Sequence, residues 1–418
     1  MKKLLLCLLL PVLLAASCSS VSGSQGKEAV DLFYTPKVPD AKNDFTPQSM
    51  SEKTAFDYFR DEGLLAGFNI GNSLDAHEGG RASETVWGNP KINQALLNGI
   101  KQAGFDLVRI PITWMGYIGP APDYHINEKY LERVAEVVEM AHNAGLKAIV
   151  NIHHDGSTRD GGRDNGWLSV NTARGSESGY KEVTFKFVRV WKQIAVYFRN
   201  YGDWLIFEPM NEIHDGNWGW GSESAQNPQY DIVNEWNRLF TKTVRSTGSN
   251  NASRYLVIPG YCAGVKHALA HYYWLPPDSA PDRQIVSFHY YDPSEFCIDG
   301  KKSSWGTPAD KQKTENDLAP FKGKYIDKKI PVLVGETGAT MQLYPDDPAK
   351  EQQARQSRRE YLSHVFKTAK KYGLVPVYWD NGSMKGSGEK YGLLDRNTGQ
   401  ANSPESDALI KLMISAVK

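Results

Sequence analysis

The sequence carries only four cysteines in 418 residues, and no CxxC spacing occurs, which disfavours a zinc knuckle or a thioredoxin-type redox site. It also lacks a surplus of either charge. Lysine plus arginine (48) balance aspartate plus glutamate (48), so nothing steers the chain toward nucleic acid or an anionic surface. No GxSxG elbow, HExxH helix or GxxxxGK[ST] loop is present, leaving serine-hydrolase, zincin and P-loop chemistry without support. Internal repeats are absent, and no stretch after residue 51 has linker composition. What remains is ordinary globular material, 40% hydrophobic and 23% charged. The 11 tryptophans and 21 tyrosines suit a core as well as a stacking ligand, so they favour a ligand only weakly.

One long apolar run exists, at residues 4–16, too short to span a membrane as a helix. Lys2 and Lys3 precede it, and residues 1–17 read as a secretory signal. Ala15-Ala16-Ser17-Cys18 and the serine-rich stretch to Ser24 resemble a bacterial lipoprotein processing site, which would lipidate Cys18 after cleavage. Ala15 departs from that pattern, which prefers leucine. Ordinary cleavage nearby would leave Cys18 an incidental small residue. The expected location is the bacterial cell envelope, lipid-anchored at the outer membrane or cell surface, otherwise periplasmic or secreted. Residues 18–50, polar and punctuated by Pro36, Pro39 and Pro47, read as a tether, and 51–418 as one domain. Cys7 would leave with the signal. Cys262 and Cys297 remain, either bridged or as two buried thiols.

Short apolar runs recur at 64–72, 105–114, 147–153, 204–211, 254–259, 284–290, 331–336 and 375–379. Most are continuous, as strands buried on both faces of a parallel sheet should be. Amphipathic stretches separate them. Residues 130–144 place Leu131, Val134, Val137, Val138 and Ala141 on one face and stop at Gly145. Residues 184–199 and 352–371 repeat the pattern. Strand–helix alternation repeated in this way predicts a (β/α)8 TIM barrel, with a doubly wound sheet as the alternative.

In such a barrel the site lies at the C-terminal strand ends. Reading those ends in order gives Asn72 and Asp75, Arg109, His153 and His154, Asn211 and Glu212, His289 and Tyr291, Glu336 and Trp379. Paired carboxylates across a cleft are what glycosidic bond cleavage requires. The run Leu205-Ile206-Phe207-Glu208-Pro209-Met210-Asn211-Glu212 resembles the signature of glycoside hydrolase family 5, the cellulase family. Gly67 to Asp75, Trp87-Gly88-Asn89-Pro90, Arg109-Ile110-Pro111, Asn151-Ile152-His153-His154, Phe288-His289-Tyr290-Tyr291, Gly335-Glu336 and Tyr378-Trp379-Asp380 agree. The opening motif and Trp87-Gly88-Asn89-Pro90 are most similar to the endoglucanase and xyloglucanase branch. Ile213 departs from the usual proline after Asn-Glu.

The resemblance implies Glu336 as nucleophile and Glu212 as acid/base of a retaining endo-β-1,4-glucanase that needs no cofactor. It further implies that Arg109 and Tyr291 hold Glu336, His289 orients Glu212, and Asn211 and His153 hold sugar hydroxyls above Trp379. Asn72, His154, Trp87, Trp114, Trp167, Trp218, Trp220 and Trp305 are candidates to line the groove. A xyloglucanase, then a β-mannanase, are the alternatives within the class. A carbohydrate-binding protein on an inactive barrel is the alternative outside it, and the presence of both glutamates disfavours it. The expected partner is a β-glucan or xyloglucan chain, and the expected state is a monomer. A metal at His153-His154-Asp155 is disfavoured because adjacent strand residues point to opposite faces. Asp160 to Gly166 is faintly like a calcium loop, but Arg163 opposes it.

Overall fold

Eight strands close on themselves: β1 Gly67–Ile70, β2 Leu107–Ile110, β3 Lys147–Val150, β4 Leu205–Phe207, β5 Leu256–Gly264, β6 Gln284–Tyr290, β7 Val332–Thr337 and β8 Leu374–Asp380. The structure is a computed structural model and describes residues 45–156, 166–216 and 227–418. Each strand runs parallel to its sequence neighbours, and β1 pairs with both β2 and β8. That closure makes a TIM barrel and removes the doubly wound alternative. The expected strands correspond one to one with those observed. The fifth continues to Gly264 rather than ending at 259.

Helices form where the sequence supplies both a cap and an apolar stripe. Asn127 accepts from the Tyr130 N–H to start helix Glu128–Asn143, whose buried face holds Leu131, Val134, Val137, Val138 and Ala141. Gly145, at φ +76°, lets the chain leave it. Helix Glu177–Tyr197 begins earlier than the expected residue 184 because Ser176 caps it through the Gly179 N–H.

Inside the barrel, inward positions are apolar below and polar above. Leu107, Ile149, Ile206, Val257, Ile285, Leu333, Val375 and Val377 form the lower layer, closed beneath by Ala55, Tyr58 and Phe59 of helix Ala55–Asp61. Each fully buried aliphatic side chain contributes about 1.5–3 kcal/mol. Residues 45–50, the end of the expected tether, are already bonded to this lower face. Gln48 Oε1 accepts from the Gly202 N–H (2.8 Å) and Trp204 Nε1 (2.9 Å), and Asn200 Nδ2 donates to the Phe45 carbonyl (2.7 Å). Cys262 and Cys297 are both buried and are not bridged to each other, so the disulfide left open by the sequence does not form.

Arg254, just before β5, is wholly buried and meets no carboxylate in hydrogen-bond range among the described residues. Its donors go instead to the carbonyls of Phe198, Tyr201, Gly202 and Leu205 and to Asn251 Oδ1, at 2.6–3.0 Å. It thereby ties the end of helix Glu177–Tyr197 to the entry of β4. Arg254→Ala would orphan all of these acceptors. Urea unfolding should show a loss of at least about 3 kcal/mol; a change within about 0.5 kcal/mol, the scale of a surface substitution, would refute this account.

Candidate active site

The inward pattern changes character at the strand tops. On β2, Leu107 faces the apolar layer and Arg109, two residues on, faces the layer above it. On β7 the alternation alone would turn Glu336 away from the barrel axis, because Leu333 points inward. A β-bulge corrects this. Phe288 pairs with Val334 but His289 pairs with Glu336, so β7 carries one extra residue there. Gly335 suits the bulge, since a Cβ would stand 2.5 Å from Ser287 Oγ.

Arg109 is the hub of the polar layer. Nε donates to Glu208 Oε2 (2.7 Å), Nη1 to Glu336 Oε1 (2.7 Å) and Asn69 Oδ1 (3.1 Å), and Nη2 to Asn211 Oδ1 (2.8 Å). Tyr291 Oη donates to Glu336 Oε2 at 3.2 Å. His289 Nδ1 lies 2.6 Å from Glu212 Oε1 and 3.6 Å from Glu336 Oε2. One oxygen of Glu212 and one of Glu336 lie within 4.8 Å of each other.

Burial raises both carboxyls above their ordinary range. On Glu336 the nearby His289 and the Arg109 guanidinium oppose that rise, while repulsion from Glu212 adds to it. Direct donors separate the two. Glu336 receives a guanidinium and a phenol, whereas among the described residues Glu212 meets an imidazole that burial pushes down to about 4. Glu336 thus receives the donors that favour a carboxylate, while burial is the main influence on Glu212.

The remaining expected residues divide into three groups. Trp379 lies against Gly71, where a Cβ would meet its ring at 2.5 Å, and His153 stacks parallel to it with centroids 5.7 Å apart. Trp87 is 41% exposed and donates to the His77 carbonyl, with its ring 5.5 Å from that of His154. Asn72 lines, with Trp87, Asn89 and Asn381, a cleft of about 890 Å³ beside Trp379. Trp114 and Trp305 do not reach the groove. Trp114 is fully buried with its N–H on the Asn151 carbonyl, and Trp305 packs against Tyr361. Half-buried Trp167 is tied to Asp155 Oδ1 at 2.6 Å. Trp218, Trp220, Cys18 and the stretch from Asp160 to Asn165 lie outside the described residues.

One expectation needs correction. His153 and His154 do not point apart; their rings meet edge to face at 4.5 Å, because β3 has already ended at Val150 and both sit beyond it. His154 Nε2 lies 3.6 Å from Asp75 Oδ2, and this carboxylate raises the imidazole against the lowering effect of burial. Both oxygens of Asp75 are already taken by the Asn72 and Ser73 N–H groups.

The comparisons agree with this geometry. The profile of Cellulase (glycosyl hydrolase family 5) matches residues 71–385. The chain belongs to glycosyl hydrolase family 5. Among curated relatives, Endoglucanase A of Paenibacillus barcinonensis is 36% identical over 76% of this chain and 80% of that protein. The xyloglucan-specific endo-beta-1,4-glucanase BoGH5A of Bacteroides ovatus is 35% identical over 83% and 68%. A solved GH5-4 broad specificity endoglucanase from Bacteroides salanitronis superposes with a TM-score of 0.79 at 38% identity, over 90% of this chain and 98% of that one.

In this family 5 chain, reading the strand ends missed Glu208 and Asn69. Both lie in quoted motifs, but neither stands where the end of an apolar run announces a site residue. Glu208 is a third buried carboxylate, accepting from Arg109 and from Asn151 Nδ2 (2.9 Å). Its negative charge draws on the same guanidinium that serves Glu336. Glu208→Gln should lower kcat/KM by roughly tenfold or more. With Glu208 neutral, Arg109 favours ionised Glu336 more strongly, so the acidic limb of the pH–rate profile should move to lower pH. An unmoved limb would count against this coupling.

Proposed function

We propose that the protein is a retaining endo-β-1,4-glucanase acting on β-glucan chains, with Glu336 as nucleophile and Glu212 as acid/base. The observation carrying this reading is the short separation of unequal carboxyls. Retaining enzymes hold the pair about 5–5.5 Å apart, whereas inverting enzymes leave about 6.5–9.5 Å for a water. One oxygen of each within 4.8 Å supports the closer, retaining arrangement. The Glu336 carboxylate attacks the anomeric carbon while Glu212 passes its proton to the departing glycosidic oxygen. Once Glu336 is esterified its charge is gone, and Glu212 as carboxylate takes a proton from the incoming water, which releases the ester. Trp379 offers an apolar face under the reacting ring, and Asn211, held by Arg109, is placed for the neighbouring hydroxyl.

Endo action fits the open cleft lined by Asn72, Trp87 and Asn381, because a chain lying in it can be cut internally. A xyloglucan preference is the second reading, supported by relatives and solved structures named as xyloglucanases. The lipoprotein-like sequence around Cys18 supports anchoring in the cell envelope, with the stretch after it as tether.

Proton NMR should find the first reducing end released from a β-glucan in the β configuration; an α product would overturn both roles. Glu336→Ala should abolish turnover, while Glu212→Ala should chiefly harm substrates with poor leaving groups. Glu212 is raised by burial and must be protonated to act, so the alkaline limb of kcat/KM should lie above the ordinary carboxylate range. On soluble β-glucan and xyloglucan, viscosity should fall faster than reducing ends appear. Separately, Cys18→Ala should release the protein from the membrane fraction; wild-type protein found wholly soluble and starting after Cys18 would end the anchoring proposal.

A further inference from the structure

β4 ends at Phe207, and Glu212 stands some way beyond it on irregular chain. On the β3 side that chain is held by the Glu208 N–H on the Val150 carbonyl (3.0 Å) and the Asn211 N–H on the Ile152 carbonyl (2.9 Å). On the β5 side the ladder offers one register pair, Phe207 with Leu256, and no more. Two bonds from farther along β5 take its place. Cys262 donates its N–H to the Ile213 carbonyl at 3.0 Å, and Tyr261 Oη accepts from the Asp215 N–H at 2.8 Å. Both grips fall on the chain immediately after Glu212.

Reaching that position takes an irregular strand. Between the pairs Pro259–Ser287 and Gly264–His289, the stretch of β5 from Gly260 to Ala263 stands opposite the single residue Phe288 of β6. Within this excursion Cys262 (φ +44°) and Ala263 (φ +47°) are both left-handed without being glycine. L side chains disfavour that conformation, and it persists only where the surroundings enforce it. Here they do. A Cβ on Gly260 would stand 3.2 Å from the Ala268 nitrogen of helix Val265–Leu269, and buried Tyr261 meets Tyr230 and His267 edge to face, each at 5.0 Å. The excursion ends at Gly264, paired with His289, whose Nδ1 lies 2.6 Å from Glu212 Oε1. One strand therefore locates both the backbone that follows Glu212 and the imidazole against its carboxyl. The Cys262 thiol, raised chiefly by burial, is raised further by the charge of Glu212, as a group in its neighbourhood should be.

We propose that this excursion of β5 positions Glu212 for proton transfer, with Tyr261 as a positioning residue that acts through the Asp215 N–H. The proposal rests on the acid/base reading of Glu212. A carboxyl must stand within hydrogen-bond reach of the departing oxygen to protonate it, and a small displacement costs rate steeply. Helix Val170–Gly175 holds the same segment from another side, with Asn171 Nδ2 donating to the Asp215 carbonyl (3.0 Å) and Arg174 Nη1 3.3 Å from Asp215 Oδ2. Loss of the Tyr261 hydroxyl thus loosens the segment without releasing it.

Tyr261→Phe removes that oxygen and keeps the ring. On the phenyl glycoside of a short cello-oligosaccharide, whose leaving group needs the proton, kcat/KM should fall about tenfold. On the dinitrophenyl glycoside, which departs unaided, it should stay within about twofold. Release of the sugar from Glu336 then becomes the slow step for this second substrate, because Glu212 also activates the water. Its kcat and KM should fall together, and azide, which attacks without a base, should restore kcat. Equal loss of kcat/KM on both substrates with no response to azide is the mark of a merely structural role and would overturn the proposal, as would unchanged kinetics on both. Hydrogen exchange adds a check on the wild-type enzyme: the Asp215 and Cys262 amides should be protected, and rapid exchange of both would overturn the grip whether or not the variant folds. Glu212→Ala, run in parallel, keeps the two readings apart. If it lacks the leaving-group pattern, the acid/base reading fails; if it shows the pattern and Tyr261→Phe does not, only the positioning role fails.

Discussion

A single buried guanidinium organises the catalytic end of this barrel. Arg109 stands on β2, yet its donors reach Asn69 on β1, Glu208 and Asn211 after β4, and Glu336 on β7. A buried cation is costly unless it is paired and hydrogen-bonded, and here each of its nitrogens has an acceptor. The cost of leaving any acceptor unmade therefore fixes the relative positions of four strand ends. Asn69 extends the network to the Gly335 carbonyl at 2.9 Å, and so to the bulge that aims Glu336.

The same network sets the charge of the site. Arg109 is shared between Glu208 and Glu336, and Tyr291 adds a second donor to Glu336. Burial works in both directions: it raises Glu212 and lowers His289, and on Glu336 the Arg109 and Tyr291 donors work against it. Two glutamates of identical chemistry thus stand in different electrostatic surroundings.

The two ends of the barrel are used differently. Helix Ala55–Asp61 and residues 45–53 close the lower end, with Arg283 donating to the Ser51 carbonyl at 2.7 Å and Tyr255 to that of Lys53 at 2.8 Å. The chain thus arrives opposite the catalytic cleft, and the loops around Trp87, Trp379 and Asn381 are left to shape the upper surface.

By itself the sequence determined the alternation of buried runs and amphipathic helices, hence the barrel, and it placed Arg109, Asn211, Glu212, His289, Tyr291 and Glu336 at strand ends. Local pattern suffices for this because strand burial and helix periodicity are local properties. Contacts across the barrel are not. Nothing in the motif around Glu208 announces that it shares Arg109 with Glu336 across 99 positions of chain. Trp114 and Trp305 read the same as Trp87 until packing buries the first two and exposes the third. His153 and His154 meet because the strand stops at Val150, a boundary set by pairing rather than by composition. The direction of Glu336 depends on one extra residue in β7, visible only once the registers of β6 and β8 are known, because a side chain's face is fixed by its place in the ladder.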